Sequence, residues 1–394
     1  MKERAAIIGV GQTPYKSHHD YTIPELSQQA AMEALDMAGM SMDDIEAVVY
    51  SMAPSEFLGV NEPDKWCVDA VGGRNKPFMR IHTGGATGGS AAQAGFFHVA
   101  SGLFESVLVV GADKVRECTD SQQVLNTIWD PVYERQFGLD TIAMAAFQAV
   151  RRMYKYGTTE EQMARVAVRL LQNGLNNPKA HLKGKITIDD VMNSGYYEWP
   201  IKKFDTCPSS AGGAAVVIVS EEKAKKLCNR PAWINGCSEI ANTVFMGDQM
   251  GGAAEMDYAD WDELAIAAKE AYGQAGITNP KKEIQVADVY APFTVTDLAI
   301  CEALGFCDKG ESEKLNEEGF FDMDGEIPIS PSGGSLCTNA IAVTALARVC
   351  DAALQVLGKA PGKMQVKNVS NAVATGIGGS FQFHTIMVLG SDYN

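Results

Sequence analysis

The chain opens on an uninterrupted apolar run, Ala5-Ala6-Ile7-Ile8-Gly9-Val10, which predicts a strand buried on both faces. An Ala/Met/Leu-rich helical stretch from Pro24 to Ala38 follows and is closed by Gly39, and Ile45 to Tyr50 reads as a second strand. After Phe78-Met79-Arg80-Ile81 comes a glycine-rich turn, His82-Thr83-Gly84-Gly85-Ala86-Thr87-Gly88-Gly89, and then a small-residue helix from Ser90 to Ser101. Val107-Leu108-Val109-Val110-Gly111 is continuous rather than alternating in its apolar positions, which predicts a central parallel strand. Strands and helices alternating in this way indicate an α/β fold.

The second half repeats the pattern. Ala30 to Met40 leads to Ile45 to Tyr50, and Ala267 to Ile277 leads to Val286-Ala287-Asp288-Val289-Tyr290, each as a helix, an Ala-Gly stop, a short polar loop and a buried strand. A second pair keeps the same order: the glycine turn and helix after Ile81, and Ser332-Gly333-Gly334 followed by the apolar stretch Ala340 to Leu357. Matched order points to duplication of one α/β unit, with chance similarity of amphipathic helices as the competing explanation. Between the halves, residues 118–200 are poor in strand signals and hold amphipathic helices around Ile142 to Tyr156 and Glu160 to Asn173. They also concentrate Arg151, Arg152, Lys155, Arg165, Arg169, Lys179, Lys183 and Lys185, and read as an inserted loop domain.

Composition narrows the function. The 394 residues suffice for one large or two medium cores, and the formal charge of -16 disfavours nucleic acid, whose phosphates select basic surfaces. No apolar run approaches the roughly 18 residues of a membrane span, and Met1-Lys2-Glu3-Arg4 leads straight into the first strand, so a cytoplasmic location is expected. The nine cysteines show no C-x-x-C spacing, which argues against a metal site or a disulfide framework.

Several segments resemble thiolases, most closely the sterol-carrier-protein-x-like and archaeal branch. They are Ile7-Ile8-Gly9-Val10-Gly11-Gln12-Thr13, the glycine turn before the small-residue helix, Tyr156 to Ala164, Asp205-Thr206-Cys207-Pro208-Ser209-Ser210-Ala211-Gly212-Gly213, Pro331 to Asn339, and Ala374 to Gly379. The resemblance covers essentially the whole chain. It implies a duplicated five-layered αβαβα thiolase fold, with an N-terminal half over 1–117 and 201–228, a loop domain over 118–200 that covers coenzyme A, and a C-terminal half over 229–394. It also implies a homodimer, and a hetero-oligomer with a small zinc-ribbon and OB-fold subunit.

The family attacks a 3-oxoacyl-coenzyme A with a cysteine at the start of the small-residue helix, where the helix N-terminus favours a thiolate. Here that position is Gly85. The segment that commonly reads His-Asp-Cys-Phe is Tyr290-Ala291-Pro292-Phe293, the late catalytic segment is Gly376-Ile377-Gly378-Gly379-Ser380, and Asn339 stands at or next to the place of the family's histidine. What the resemblance leaves is an expected oxyanion hole from the N–H groups of Gly85 and of Gly378 or Gly379, aided by Asn339 and Tyr290. The expected reaction is therefore an acyltransferase step in which the thiol of a second coenzyme A attacks directly. Phe293, Phe381 and Phe383 are candidates to line an enlarged pocket for a bulky or aromatic acyl group such as benzoylsuccinyl.

His82 is readable as a base or substrate contact, or as a structural strand-end histidine, and Cys337 as a displaced nucleophile, a general base or a small buried residue. Tyr290 is equally readable as a packed strand residue. Lys183 and Lys185 are candidates for the coenzyme A phosphates. Arg151 and Arg152 are further candidates, unless they are solvated or paired on a helix face. The competing function is a non-catalytic thioester-binding or scaffold subunit.

Overall fold

The computed structural model describes residues 3–250 and 256–393, so Met1 and Lys2 of the opening segment lie outside it. Its strands are β1 (Ala5–Gln12), β2 (Ala47–Ser51), β3 (Phe78–Ile81), β4 (Ser106–Lys114), β5 (Tyr196–Glu198), β6 (Ile201–Lys202), β7 (Ala211–Ser220), β8 (Ala232–Ala241), β9 (Val286–Asp288), β10 (Asn371–Gly378) and β11 (Phe383–Gly390). β5 and β6 form a separate hairpin, and the other nine form one sheet in the order β3-β2-β4-β7-β1-β8-β11-β10-β9.

The order is symmetric about the β1/β8 junction, which is made by only two register pairs, Ala6 with Trp233 and Ile7 with Ala232. Reading outward, β1, β7, β4 and β2 are matched by β8, β11, β10 and β9, and the edge strand β3 is matched by a parallel bridge from Ala287 to Ile329. The helices match too. Ile23–Ala38 ends on Gly39 at φ 65° and Asp262–Ala275 on Gly276 at φ 69°, and each is followed by the second strand of its half. The duplication read from the sequence is therefore the topology of the molecule.

Three apolar layers hold the halves together. Leu26, Ala30 and Ala34 of the first helix pack on Ile8, Val48, Leu108 and Val217, and Leu264, Ala268 and Ala271 pack on Ile386 and Val388 at the far side. Between the two half-sheets lie the helices Thr87–Ala100 and Ala342–Leu357, whose Phe96, Val99, Leu346 and Val349 share a core with Val109, Ile218, Ala374 and Met387. Helix, sheet, helix pair, sheet and helix make the five expected layers. β4 departs from expectation: it runs parallel to β2 but antiparallel to β7. Its continuous apolar run records helices on both faces, which does not specify the direction of both neighbours.

The cationic insertion has a structural explanation. Arg151 and Lys155 pair with Asp257, Lys155 also with Asp260, Arg165 with Asp322, Arg169 with Asp297, and Lys179 with Glu33. Arg152 is fully buried and donates to Glu302 and Glu313, each at 2.7 Å. These charges fasten Thr141–Tyr156 and Glu160–Gly174 mainly onto the acidic C-terminal half, where Ala149, Met163 and Leu170 also pack on Val295, Leu298 and Leu336. Removing one member of a buried pair strands the other's charge. Arg152→Met is accordingly expected to cost about 3–5 kcal/mol in chemical denaturation, while acyl-coenzyme A affinity, measured calorimetrically, stays within a few-fold.

Candidate active site

A cavity of about 590 Å³ opens where the N-termini of the two central helices approach the loops after β3, before β7 and after β10. Its wall includes Gly85, Tyr290, Asn339, Gly378 and Gly379, and also His82, Phe293 and Phe381. The glycine turns meet backbone to backbone. A Cβ added to Gly84 would lie 2.8 Å from the nitrogen of Gly379, and one on Gly378 would lie 3.1 Å from the nitrogen of Gly85. Side chains on either turn would keep these main-chain nitrogens apart.

Tyr290 follows β9, and its main-chain N–H donates to Thr375 Oγ1 on the neighbouring β10 at 3.0 Å. That anchor sends its ring toward Gly85. Its hydroxyl donates to Asn339 Oδ1 at 2.9 Å, and the same oxygen accepts from Thr344 Oγ1 at 2.9 Å. A Cβ at residue 85 would stand 3.0 Å from the Tyr290 hydroxyl and 2.4 Å from the carbonyl oxygen of Ile377. The space that a side chain at residue 85 would need is taken by a phenol and a strand backbone. Burial raises the Tyr290 pKa far above its usual value, so the group is a proton donor at neutral pH.

Asn339 is held from several sides. Its Nδ2 donates to Cys207 Sγ at 3.0 Å, its main-chain N–H to Ser210 Oγ at 3.1 Å, and its carbonyl accepts from the Ser210 N–H at 2.8 Å. Cys207 lines the cavity, yet burial pushes its thiol up to about 12, so it does not supply a ready thiolate. Ile341, also on the wall, is β-branched and sits at φ 40°. Such a conformation costs on the order of 1–3 kcal/mol and is concentrated at functional sites.

The structure places the remaining candidates away from the cavity and favours the structural alternative for Cys337, Arg151 and Arg152. Cys337 is fully buried beside Leu171 and Ala180, donates to the carbonyl of Leu170, and does not line the cavity. It ends the short helix Gly334–Cys337, which turns its sulfur inward, whereas Asn339 two residues on faces the cavity. Phe383 is paired in β11 with Gly378 and Ala241 and is absent from the wall. Arg151 and Arg152 are committed to the carboxylates described above. Lys183 and Lys185 are exposed away from the cavity wall, with Lys183 Nζ 3.4 Å from the Asn177 carbonyl.

The cations that do line the cavity are Arg116 and Lys203, which flank the region read as cationic on either side. His181 was also missed. It had no signal beyond its residue type, whereas Cys207 lay inside a quoted motif.

One buried carboxylate braces the wall. Asp113, at the end of β4, accepts from the N–H of Ala53 at 2.8 Å and of Val343 at 3.1 Å, joining the segment after β2 to the first turn of Ala342–Leu357. Burial raises its pKa from 3.8 to about 7, so the folded state holds a proton that the unfolded chain releases. Stability from this group is therefore full below about pH 4 and declines as pH rises to about 7. Asp113→Asn removes this share of the slope in denaturation midpoints measured from pH 4 to 7. By leaving one N–H without its acceptor, it is also expected to cost about 1–3 kcal/mol.

Comparison with known proteins identifies the family and the fold. A family model described as the thiolase N-terminal domain matches residues 5–193, and one described as thiolase C-terminal domain-like matches residues 249–391. The acetyl-CoA acetyltransferase of Methanothermobacter thermautotrophicus is 30% identical over 377 residues, 95% of this chain and 96% of that one. The benzoylsuccinyl-CoA thiolase subunit BbsB of Thauera aromatica is 26% identical over 96% of this chain and 95% of its own. The solved Ltp2-ChsH2(DUF35) aldolase superposes with a TM-score of 0.83 at 27% identity, covering 98% of this chain and 97% of that one. With both domain models in order along one duplicated fold and relatives that include acyltransferases and an aldolase, the chain belongs to the thiolase family.

Proposed function

We propose that this chain makes or breaks the Cα–Cβ bond of a β-oxygenated coenzyme A thioester without a covalent acyl-enzyme, and that it does so by aldol chemistry on a 3-hydroxyacyl thioester. The observation that carries this reading is the Tyr290 hydroxyl standing in the space of a side chain at residue 85. Retro-aldol cleavage needs no nucleophile. It needs a base for the β-hydroxyl, donors for the enolate oxygen and a proton for Cα.

His82 is the base in this scheme, because burial and Arg80 lower its pKa and leave a neutral imidazole near pH 7. It takes the hydroxyl proton, the O–H electron pair becomes the carbonyl π bond, and the Cα–Cβ pair moves into the thioester as an enolate. The main-chain N–H groups of the Gly85 and Gly379 turns hold that oxygen. Tyr290 turns its O–H from Asn339 to protonate Cα, and the imidazolium restores the phenol. A carbonyl compound and a shortened acyl-coenzyme A leave, and nothing else is consumed.

The apolar wall, with Phe57, Leu125, Ile128, Ile142 and Ile341, suits a bulky acyl or aromatic tail, and Arg116 and Lys203 suit the coenzyme A phosphates. Thiolysis of a 3-oxoacyl-coenzyme A by a second coenzyme A shares the enolate half of this chemistry. It is the second reading, favoured by the likeness to the acetyltransferase and to BbsB. A homodimer carrying a small zinc-ribbon and OB-fold partner is part of the proposal; the two-protein name of the aldolase and BbsB being a subunit support the presence of a second protein.

The test is a bulky 3-hydroxyacyl-coenzyme A supplied without free coenzyme A, with and without such a partner. Chromatography should show a carbonyl product and a shorter acyl-coenzyme A. Cleavage only of the 3-oxo analogue, and only with added coenzyme A, would select thiolysis. Cleavage of neither would leave a binding subunit.

A further inference from the structure

We propose that His181 is a neutral hydrogen-bond donor to the substrate's thioester oxygen, acting through Nε2–H in a tautomer set by Ser210. His181 lines the same cavity from the segment between Glu160–Gly174 and the β5/β6 hairpin. Its Nδ1 lies 2.9 Å from Ser210 Oγ, which also accepts the main-chain N–H of Asn339 at 3.1 Å. Ser210 is fully buried, so its own hydroxyl hydrogen needs an acceptor, and Nδ1 is the partner that the described residues place there. The hydroxyl donating to Nδ1 leaves the ring's proton on Nε2.

Nε2 has no partner among the described residues, and the ring faces the cavity. Burial, and after it the charge of Arg116, lowers the pKa of the ring and favours its neutral form. Lys203, His82, Cys207, Tyr197 and Tyr290 are the other titratable groups on that wall.

The frame around the ring is rigid. The His181 N–H donates to Thr338 Oγ1 at 3.4 Å, and the Leu182 N–H to the Cys337 carbonyl at 2.9 Å. This ties the segment to the turn that carries Asn339, whose Oδ1 receives the Tyr290 hydroxyl. Imidazole and phenol are thus two donors on one hydrogen-bonded scaffold. A neutral imidazole polarises a carbonyl without the proton exchange that an imidazolium invites, which suits a site that must hold an enolate and protonate it elsewhere. His82 has no ring hydrogen bond among the described residues, so its tautomer is free to change, as a base requires.

The inference rests on the enolate chemistry proposed above, but its first test does not. Long-range ¹H–¹⁵N spectra of the intact protein at pH 7 are expected to show His181 Nδ1 as the unprotonated, pyridine-type nitrogen and Nε2 as the protonated one. Ser210→Ala should relax that preference. The reversed tautomer or an imidazolium would overturn the proposal. In turnover, His181→Phe is expected to lower kcat by about 10²–10³-fold with KM within a few-fold, and His181→Gln, which keeps an N–H donor, to recover part of the loss. A loss below tenfold in the phenylalanine variant would also overturn it. Absence of turnover in the unaltered protein, with the tautomer as expected, would instead count against the reaction.

Discussion

Tyr290→Phe is expected to lower kcat by about 10²–10³-fold on the 3-hydroxyacyl thioester, with KM nearly unchanged. The substitution removes the hydroxyl that stands 3.0 Å from the place of a side chain at residue 85 and leaves the ring, which is buried among Val289, Ala291 and Ile377. Folding should suffer little. Asn339 Oδ1 keeps its hydrogen bond from Thr344 Oγ1, so no acceptor is stranded, and the cost is about 1 kcal/mol.

A stopped assay under saturating substrate, paired with a denaturation midpoint, separates the two effects. If Tyr290 only packs the strand end, kcat stays within a few-fold and the midpoint falls. The isotope content of the product gives a second check. In deuterated solvent the unaltered protein should place one deuterium at Cα for each turnover, as protonation of an enolate by an exchangeable acid requires. A variant with wild-type rate and labelling would remove Tyr290 from the mechanism.

How much of this site was legible beforehand follows from the range of the interactions involved. The glycine turn at 84–85, Asn339 after the second glycine turn and Tyr290 at the end of a strand are legible through the resemblance to thiolase motifs rather than through local pattern alone, and the structure brings them to one cavity. The sequence leaves Arg151 and Arg152 open between a phosphate role and a paired one, because a charge cannot be assigned without its partner. Arg152 is satisfied by Glu302 and Glu313, 150 and 161 residues away, and nothing near residue 152 announces that.

Cys337 and Phe383 fail for a different reason: each lies within a few residues of the site but points away from it. Cys337 is turned toward Leu170, and Phe383 sits across the β10/β11 pair from Gly378. Distance along the chain located the neighbourhood, whereas the direction of a side chain depends on a one-residue register. His181 comes from the segment after Glu160–Gly174, and its proposed role depends on contacts with Ser210 and Thr338 that are distant in sequence.

Gly85→Cys would put a thiol where the resemblance to thiolases implies a nucleophile, and it is expected to fail. The new Cβ would lie 2.4 Å from the Ile377 carbonyl oxygen, in a strand held by pairing with β11, so relief requires moving backbone rather than a flexible side chain. It would also press on the Tyr290 hydroxyl, the proposed acid. The expected cost is about 1–3 kcal/mol of stability, as for other overpacked sites, with a loss of aldol turnover as large as that of Tyr290→Phe and no acyl adduct on the introduced thiol by intact mass. Gly85→Ala should lose as much, because the offending atom is Cβ and not sulfur. A Gly85→Cys variant as stable as its parent, acylated by a 3-oxoacyl-coenzyme A and active in thiolysis, would show that the position still accommodates a nucleophile and that the tyrosine has not replaced it. The expected outcome makes Gly85 a requirement of a site closed around Tyr290, in which the backbone of Ile377 as well as the residue type excludes a side chain.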